Sequence, residues 1–97
     1  MTHEDLKETL RRCGPGLKAE LGLIGLAVFG SVARGQSTPA SDVDILVDFA
    51  GPADFSRFME LKERLEAVPG VRVDLVTRKA LRPALRDAIE REAIRVA

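Results

Sequence analysis

The chain has no tryptophan, no tyrosine and no asparagine, a single cysteine, and no excess of either charge. One cysteine, Cys13, excludes an intramolecular disulfide, and nothing points to an oxidising compartment. Lysine plus arginine number 15 and aspartate plus glutamate number 15. There is therefore no global positive field of the kind that drives non-specific nucleic-acid binding. No apolar run approaches the roughly 20 residues that span a bilayer. The opening MTHEDLKETL is too charged for a secretory signal. These absences lead to the expectation of a cytoplasmic protein with no membrane contact and no direct nucleic-acid binding.

What is present suits a globular protein: 97 residues, 45% hydrophobic and 31% charged. The expectation is a single domain over residues 1–97 with a small core and modest stability. No internal repeat or low-complexity tract divides it.

Periodicity gives the elements. Thr2 can cap a helix that carries Leu6, Leu10 and Cys13 on one side, so Glu4 to about Arg12 reads as amphipathic helix. Gly14-Pro15-Gly16 is expected to interrupt it, with a short segment resuming at Leu17 and Leu21. Leu23 to Phe29 is an apolar run bounded by glycines and reads as a buried strand. Ser31 to Arg34 reads as a helical turn ended by Gly35, and Gln36 to Ser41 as loop. Asp42 to Phe49 alternates as a second strand, with Val43, Ile45, Val47 and Phe49 on one face and Asp42, Asp44, Leu46 and Asp48 on the other. Phe55, Phe58, Leu61, Leu65 and Val68 trace a helix over Asp54 to about Ala67, stopped by Pro69-Gly70. Phe55, Phe58 and Met59 are expected in the core. Val71 to Val76 is a third strand.

A strand–helix–strand sequence implies a parallel crossover between strands two and three. The short connection between strands one and two implies an antiparallel pair. Thr77 to Arg82 is a connector, and Pro83 opens a final helix with Leu85, Ala88, Ile89 and Ala93 on one side. Ile94 and Val96 alternate as a short edge strand. The fold class is α/β (α+β): a small mixed sheet of three to four strands packed against helices.

Three separated groups carry chemistry. Gly30 ends a strand, where a residue without a β-carbon lets backbone approach a ligand, and Ser31 adds a hydroxyl in a turn with free N–H groups. A phosphate fits such a turn; a plain strand-to-helix connection uses the same residues. Asp42 and Asp44 stand at i, i+2 on a strand and so share a face. Two carboxylates this close repel unless a cation neutralises them, and Mg²⁺ takes carboxylates plus phosphate oxygens. A solvated strand face is the plainer account. Asp74 interrupts the apolar VRVDLV, and if strand three lies beside strand two it reaches the same cluster. Three acids can hold two metals. Arg78, Lys79, Arg82 and Arg86 form a basic cluster that suits either a solvated face or a triphosphate.

Gly30-Ser31, ten intervening residues, Asp42-Val43-Asp44-Ile45 and then Val73-Asp74-Leu75 together resemble the signature of the nucleotidyltransferase superfamily that includes DNA polymerase beta. The string GSVARGQSTPASDVDILVDF is similar to the minimal nucleotidyltransferases, whose genes often lie beside that of a helical HEPN partner. The resemblance implies the nucleotidyltransferase fold and assigns roles by residue. Gly30, Ser31 and Arg34 would meet the nucleotide phosphates, with Gly35 allowing the turn and Ser41 capping the strand entry. Asp42, Asp44 and Asp74 would be catalytic and hold a two-metal Mg²⁺ site. ATP would be the substrate and its AMP would pass to a hydroxyl, in a tyrosine of a HEPN-type toxin, so that the protein serves as antitoxin. Two other readings stay open: an antitoxin that neutralises its toxin by binding alone, and a free-standing transferase with another acceptor.

Overall fold

A computed structural model describes residues 3–36, 42–52, 54–67 and 72–97. The expected roles of Thr2 as a cap, Ser41 at the strand entry and Pro69-Gly70 as a helix stop lie outside the described residues. The elements are α1 (His3–Leu21), β1 (Leu23–Phe29), α2 (Gly30–Ala33), β2 (Val43–Phe49), α3 (Phe55–Glu66), β3 (Val73–Thr77), a 3₁₀ turn (Arg78–Ala80), α4 (Pro83–Glu92) and β4 (Ile94–Arg95). The sheet order is β3-β2-β1-β4. β1 is antiparallel to β2 and to β4, and β2 is parallel to β3, as the connection lengths imply.

The N-terminal helix corrects one expectation. α1 runs unbroken through Pro15. Leu6, Leu10, Leu17 and Leu21 are all buried, and their spacing keeps one helical phase across the proline. An interior proline costs about 3 kcal/mol; burying two leucines beyond it contributes about 1.5–3 kcal/mol each and offsets that cost. Gly14 has a packing reason: a β-carbon there would lie 2.6 Å from the carbonyl oxygen of Val96. The bare Cα lets the C-terminal segment cross close over the helix.

β1 contains an irregularity that sets its two faces. Its register on β2 shifts between Leu23 and Gly25. Leu23 thereby faces the same side as Leu26 and Val28, opposite Phe49, Val47 and Ile45 respectively. A strand without the shift would turn Leu23 away from the core. The residue left over, Ile24, is 53% exposed. The core lies between this face and helices α1 and α3, with Leu61 and Leu65 of α3 fully buried. Phe55 is not part of it: it opens α3 and remains 77% exposed, while Phe58 only packs against the rim of the core.

Arg57 ties three elements together. Its guanidinium donates to the carbonyls of Leu21 (2.7 and 3.0 Å), Gly22 (2.7 Å), Ala50 (3.2 Å) and Pro52 (3.2 Å). It also lies 4.8 Å from the centroid of the Phe49 ring. The end of α1, the exit of β2 and the start of α3 thus converge on one cation. Asp54 caps α3 by accepting from the Arg57 amide at 2.7 Å. Removing the guanidinium in Arg57→Ala is expected to cost about 2–3 kcal/mol, since several carbonyls lose a charged donor. Arg57→Lys should recover only part, because one ammonium cannot span four carbonyls. Urea unfolding of the three proteins measures this; equal stability of wild type and Arg57→Ala would contradict it.

Candidate active site

The face of the sheet away from α1 and α3 carries Asp44, Leu46 and Asp48 of β2 and Asp74 of β3. Asp44 and Asp74 are direct partners in the parallel register. The crossover helix α3 therefore brings together two acids that are far apart in sequence. Both strands bury the alternate residues Val43, Ile45, Val73 and Leu75, so the acids have no other face to take.

The Gly30 turn meets the acids directly. Gly30 has φ +68°, a left-handed conformation that favours glycine. A β-carbon at that position would overlap the Oδ2 atom of Asp44. Both conformation and space exclude any side chain. α2 follows and is closed by Gly35 at φ +70°, whose amide donates to Val32 O at 3.1 Å while Gln36 N donates to Ser31 O at 2.8 Å. These two bonds form a Schellman cap. Ser31 is half-buried in the first part of the turn.

The electrostatic cost of this cluster falls on Asp44. Burial pushes its carboxyl above the ordinary range, and the charge of Asp74, a hydrogen bond between the two carboxyls and the charge of Asp42 act in the same direction; Arg34 opposes them. Asp42 itself turns outward and pairs with Arg72, Oδ1 to Nε 3.3 Å, with both side chains more than half exposed. An exposed pair of this kind contributes little and exchanges readily. The structure thus joins Asp44 to Asp74 and sets Asp42 on Arg72. Among the described residues, no three His, Cys, Asp or Glu side chains are already gathered as a metal centre.

Arg34 does not point freely at solvent. Its Nη1 donates to both oxygens of Glu92 at 3.0 and 3.2 Å, and its Nε donates to Gln36 Oε1 at 3.2 Å. The Gly30 amide donates to the same Glu92 carboxylate at 3.0 Å. Glu92 was not legible as a site residue. The one available signal is its place at the C-terminal end of α4, where a negative charge opposes the helix dipole and needs another partner. The basic cluster is likewise engaged: Arg78 pairs with Glu90, Lys79 donates to Gly51 O at 3.1 Å and Arg86 to Leu81 O at 3.2 Å. Arg78 and Glu90 border an open groove of about 320 Å³ that continues from Ala27 and Leu46 to Asp48 on the acid-bearing face.

Residues 10–96 match the nucleotidyltransferase domain. The chain belongs to that family. Within this nucleotidyltransferase family, the protein adenylyltransferase MntA of Thermococcus cleftensis is 38% identical over 96 residues, covering 99% of this chain and 97% of the relative. A solved structure provisionally described as a minimal nucleotidyltransferase is 41% identical, with a TM-score of 0.85 and coverage of 97% of this chain and 95% of the other. A chain in the complex of a tri-AMPylated Shewanella oneidensis HEPN toxin with MNT antitoxin shares the fold, at 20% identity and a TM-score of 0.68, covering 94% of this chain and 71% of that one. The mixed sheet with flanking helices is the nucleotidyltransferase fold. No described helix is long and apolar enough to cross a membrane.

The acids of this nucleotidyltransferase suit a divalent cation in kind. Carboxylate oxygens are the donors Mg²⁺ takes, and the destabilised Asp44 carboxylate gains most from a nearby positive charge. Without added divalent cation, Asp44→Asn is expected to raise the melting temperature at neutral pH. A raised native pKa means that the folded state holds the proton longer than the unfolded one. Stability therefore falls as pH rises from the ordinary carboxylate value to the raised one, and stays lower above it. The gain from asparagine should be full at neutral pH and vanish below about pH 4. Thermal melts across that range check this; a gain that grows towards acid pH would contradict it.

Proposed function

We propose that the protein transfers the adenylyl group of ATP to a hydroxyl of a protein partner, a tyrosine of a HEPN-type toxin, and so acts as its antitoxin. The contact between the Gly30 turn and the Asp44–Asp74 pair carries this reading, because a phosphate on the turn and a cation on the pair would then be neighbours. The similarity to a named protein adenylyltransferase over nearly the whole chain supports the substrate class, and the toxin complex among its fold neighbours suggests the partner.

In this reading the Gly30-Ser31 turn binds the nucleotide phosphates, the Ser31 hydroxyl donating to a phosphate oxygen and Arg34 adding positive charge beside them. Asp42, Asp44 and Asp74 would hold Mg²⁺, with Asp42 leaving Arg72 to do so. Bound Mg²⁺ supplies charge neutralisation on the phosphates and a more acidic acceptor hydroxyl. The acceptor oxygen forms its bond to the α-phosphorus, the bond to the bridging α–β oxygen breaks, and pyrophosphate leaves with the electron pair. Asp74, exposed on β3 opposite Asp44, would receive the hydroxyl proton.

The test combines protein, ATP, Mg²⁺ and a cognate HEPN protein, followed by intact-mass measurement of that partner. Addition of one or more AMP units is expected, falling at least about 100-fold in rate with Asp42→Ala plus Asp44→Ala. An undiminished increment in that variant, or none with wild type, would sink the proposal. One observation favours a second reading, a purely binding antitoxin: Asp42 pairs with Arg72 instead of joining Asp44 and Asp74. Rescue of toxin-expressing cells by a protein lacking all three aspartates would support that reading and count against catalysis.

A further inference from the structure

We infer that Glu92 is a positioning residue for the nucleotide site: from the end of α4 it grips both ends of the Gly30–Arg34 turn and fixes that turn against Asp44. The inference rests on the reading of this turn as the phosphate site.

α2 has four residues and Phe29 gives it no side-chain cap. A helix this short does not hold itself together, because nucleation costs more than one turn of hydrogen bonds returns. Its C-terminal end is closed by the Gly35 cap, but its first amide, that of Gly30, needs an acceptor from elsewhere. Glu92 Oε1 provides it at 3.0 Å. The same carboxylate holds Arg34, the residue that ends α2, through both oxygens. One side chain from 62 residues away thus spans the whole turn.

The topology explains why it can. β4 pairs with β1 so that Ile94 lies opposite Val28. Two residues further along an antiparallel pair, position 92 falls opposite position 30. β4 is only two residues long, yet it sets the end of α4 beside the Gly30 amide. Glu92 sits at the helix end that disfavours negative charge, so its carboxylate gains by accepting from an amide and a guanidinium.

The second consequence concerns Arg34. Its charge reaches Asp44 and opposes the raised proton affinity there. An Arg34 without Glu92 would be free to fold onto Asp44 or Asp74 and compete with a cation for them. Glu92 and Gln36 hold the guanidinium at the edge of the turn through Nη1 and Nε, away from the acids, which leaves Nη2 to meet a phosphate.

The experiment compares wild type, Glu92→Ala, Glu92→Gln, Arg34→Ala and Arg34→Ala/Glu92→Ala for binding of a non-hydrolysable ATP analogue with Mg²⁺, for KM and kcat of adenylyl transfer, and for thermal melting. Glu92→Ala is expected to weaken analogue binding and raise KM for ATP by about tenfold or more, with a smaller change in kcat. Glu92→Gln, which still accepts from the Gly30 amide, should recover a good part of this. The double variant should be no weaker than the sum of the single losses predicts. Unchanged or tighter binding in Glu92→Ala overturns the inference, as does a lower melting temperature with an unchanged KM. Wild type that binds no analogue would overturn the nucleotide reading itself, and this inference with it, whereas binding by wild type with an indifferent Glu92→Ala removes this inference alone.

Discussion

The carboxyl of Asp44 rests on the bare Cα of Gly30 and faces that of Asp74 on the neighbouring strand. Most of the structure can be understood as what makes that contact tolerable. Two carboxyls in hydrogen-bonding contact repel when both are ionised, and partial burial of Asp44 adds to the cost. Local relief is incomplete: Asp42 adds further negative charge, and Arg34, itself held by Glu92, offsets only part of it. The cost is carried by the opposite face of the same strands. Val43, Ile45 and Val47 on β2 and Val73 and Leu75 on β3 are buried between the sheet and the two long helices. Each fully buried aliphatic side chain contributes about 1.5–3 kcal/mol. The register that buries them is the one that pairs Asp44 with Asp74, and a slip by one residue would turn the valines outward. The acids are fixed by hydrophobic burial on the far side of the backbone, not by any attraction of their own.

The frame that delivers this register depends on charged side chains that gather the ends of elements. Arg57 gathers the carbonyls at the end of α1 and the exit of β2 and so fixes where α3 begins. α3 in turn carries the chain across to β3. Glu92 acts in the reverse sense at the other edge, an anion that gathers an amide and a guanidinium. In both cases a side chain satisfies backbone groups at element ends that the helices and sheet do not pair themselves.

Periodicity made much of this readable. The alternation in VDILVDF and VDLV gave both strands and the shared face of Asp44 and Asp74, and the short and long connections gave the antiparallel and parallel pairings. Gly35 was readable as a terminator because only a left-handed residue closes that turn. What escaped was contact between distant segments. Pro15 read as a break because local propensity was weighed without the buried Leu17 and Leu21 beyond it. Phe55 read as core because hydrophobic character does not say where a helix passes the edge of its sheet. Glu92 and the outward turn of Asp42 onto Arg72 depend on which charged side chain lies opposite which, and no period in the sequence encodes that.

The open face follows from the same economy. α1 and α3 both lie on the apolar side of the sheet, and a third helix laid over Asp44, Asp48 and Asp74 would bury three carboxylates at several kcal/mol each unless cations came with them. α4 instead runs along the margin, with no residue of its own buried and Leu85 54% exposed. It lends Glu90 and Ala93 to the edge of the groove and Glu92 to the turn, without roofing the acids. Covering that face without the burial penalty requires a ligand that brings positive charge with it or a partner that leaves the carboxylates hydrated. A metal-bound triphosphate meets the first condition. The physical demand of the acids and the proposed substrate therefore agree.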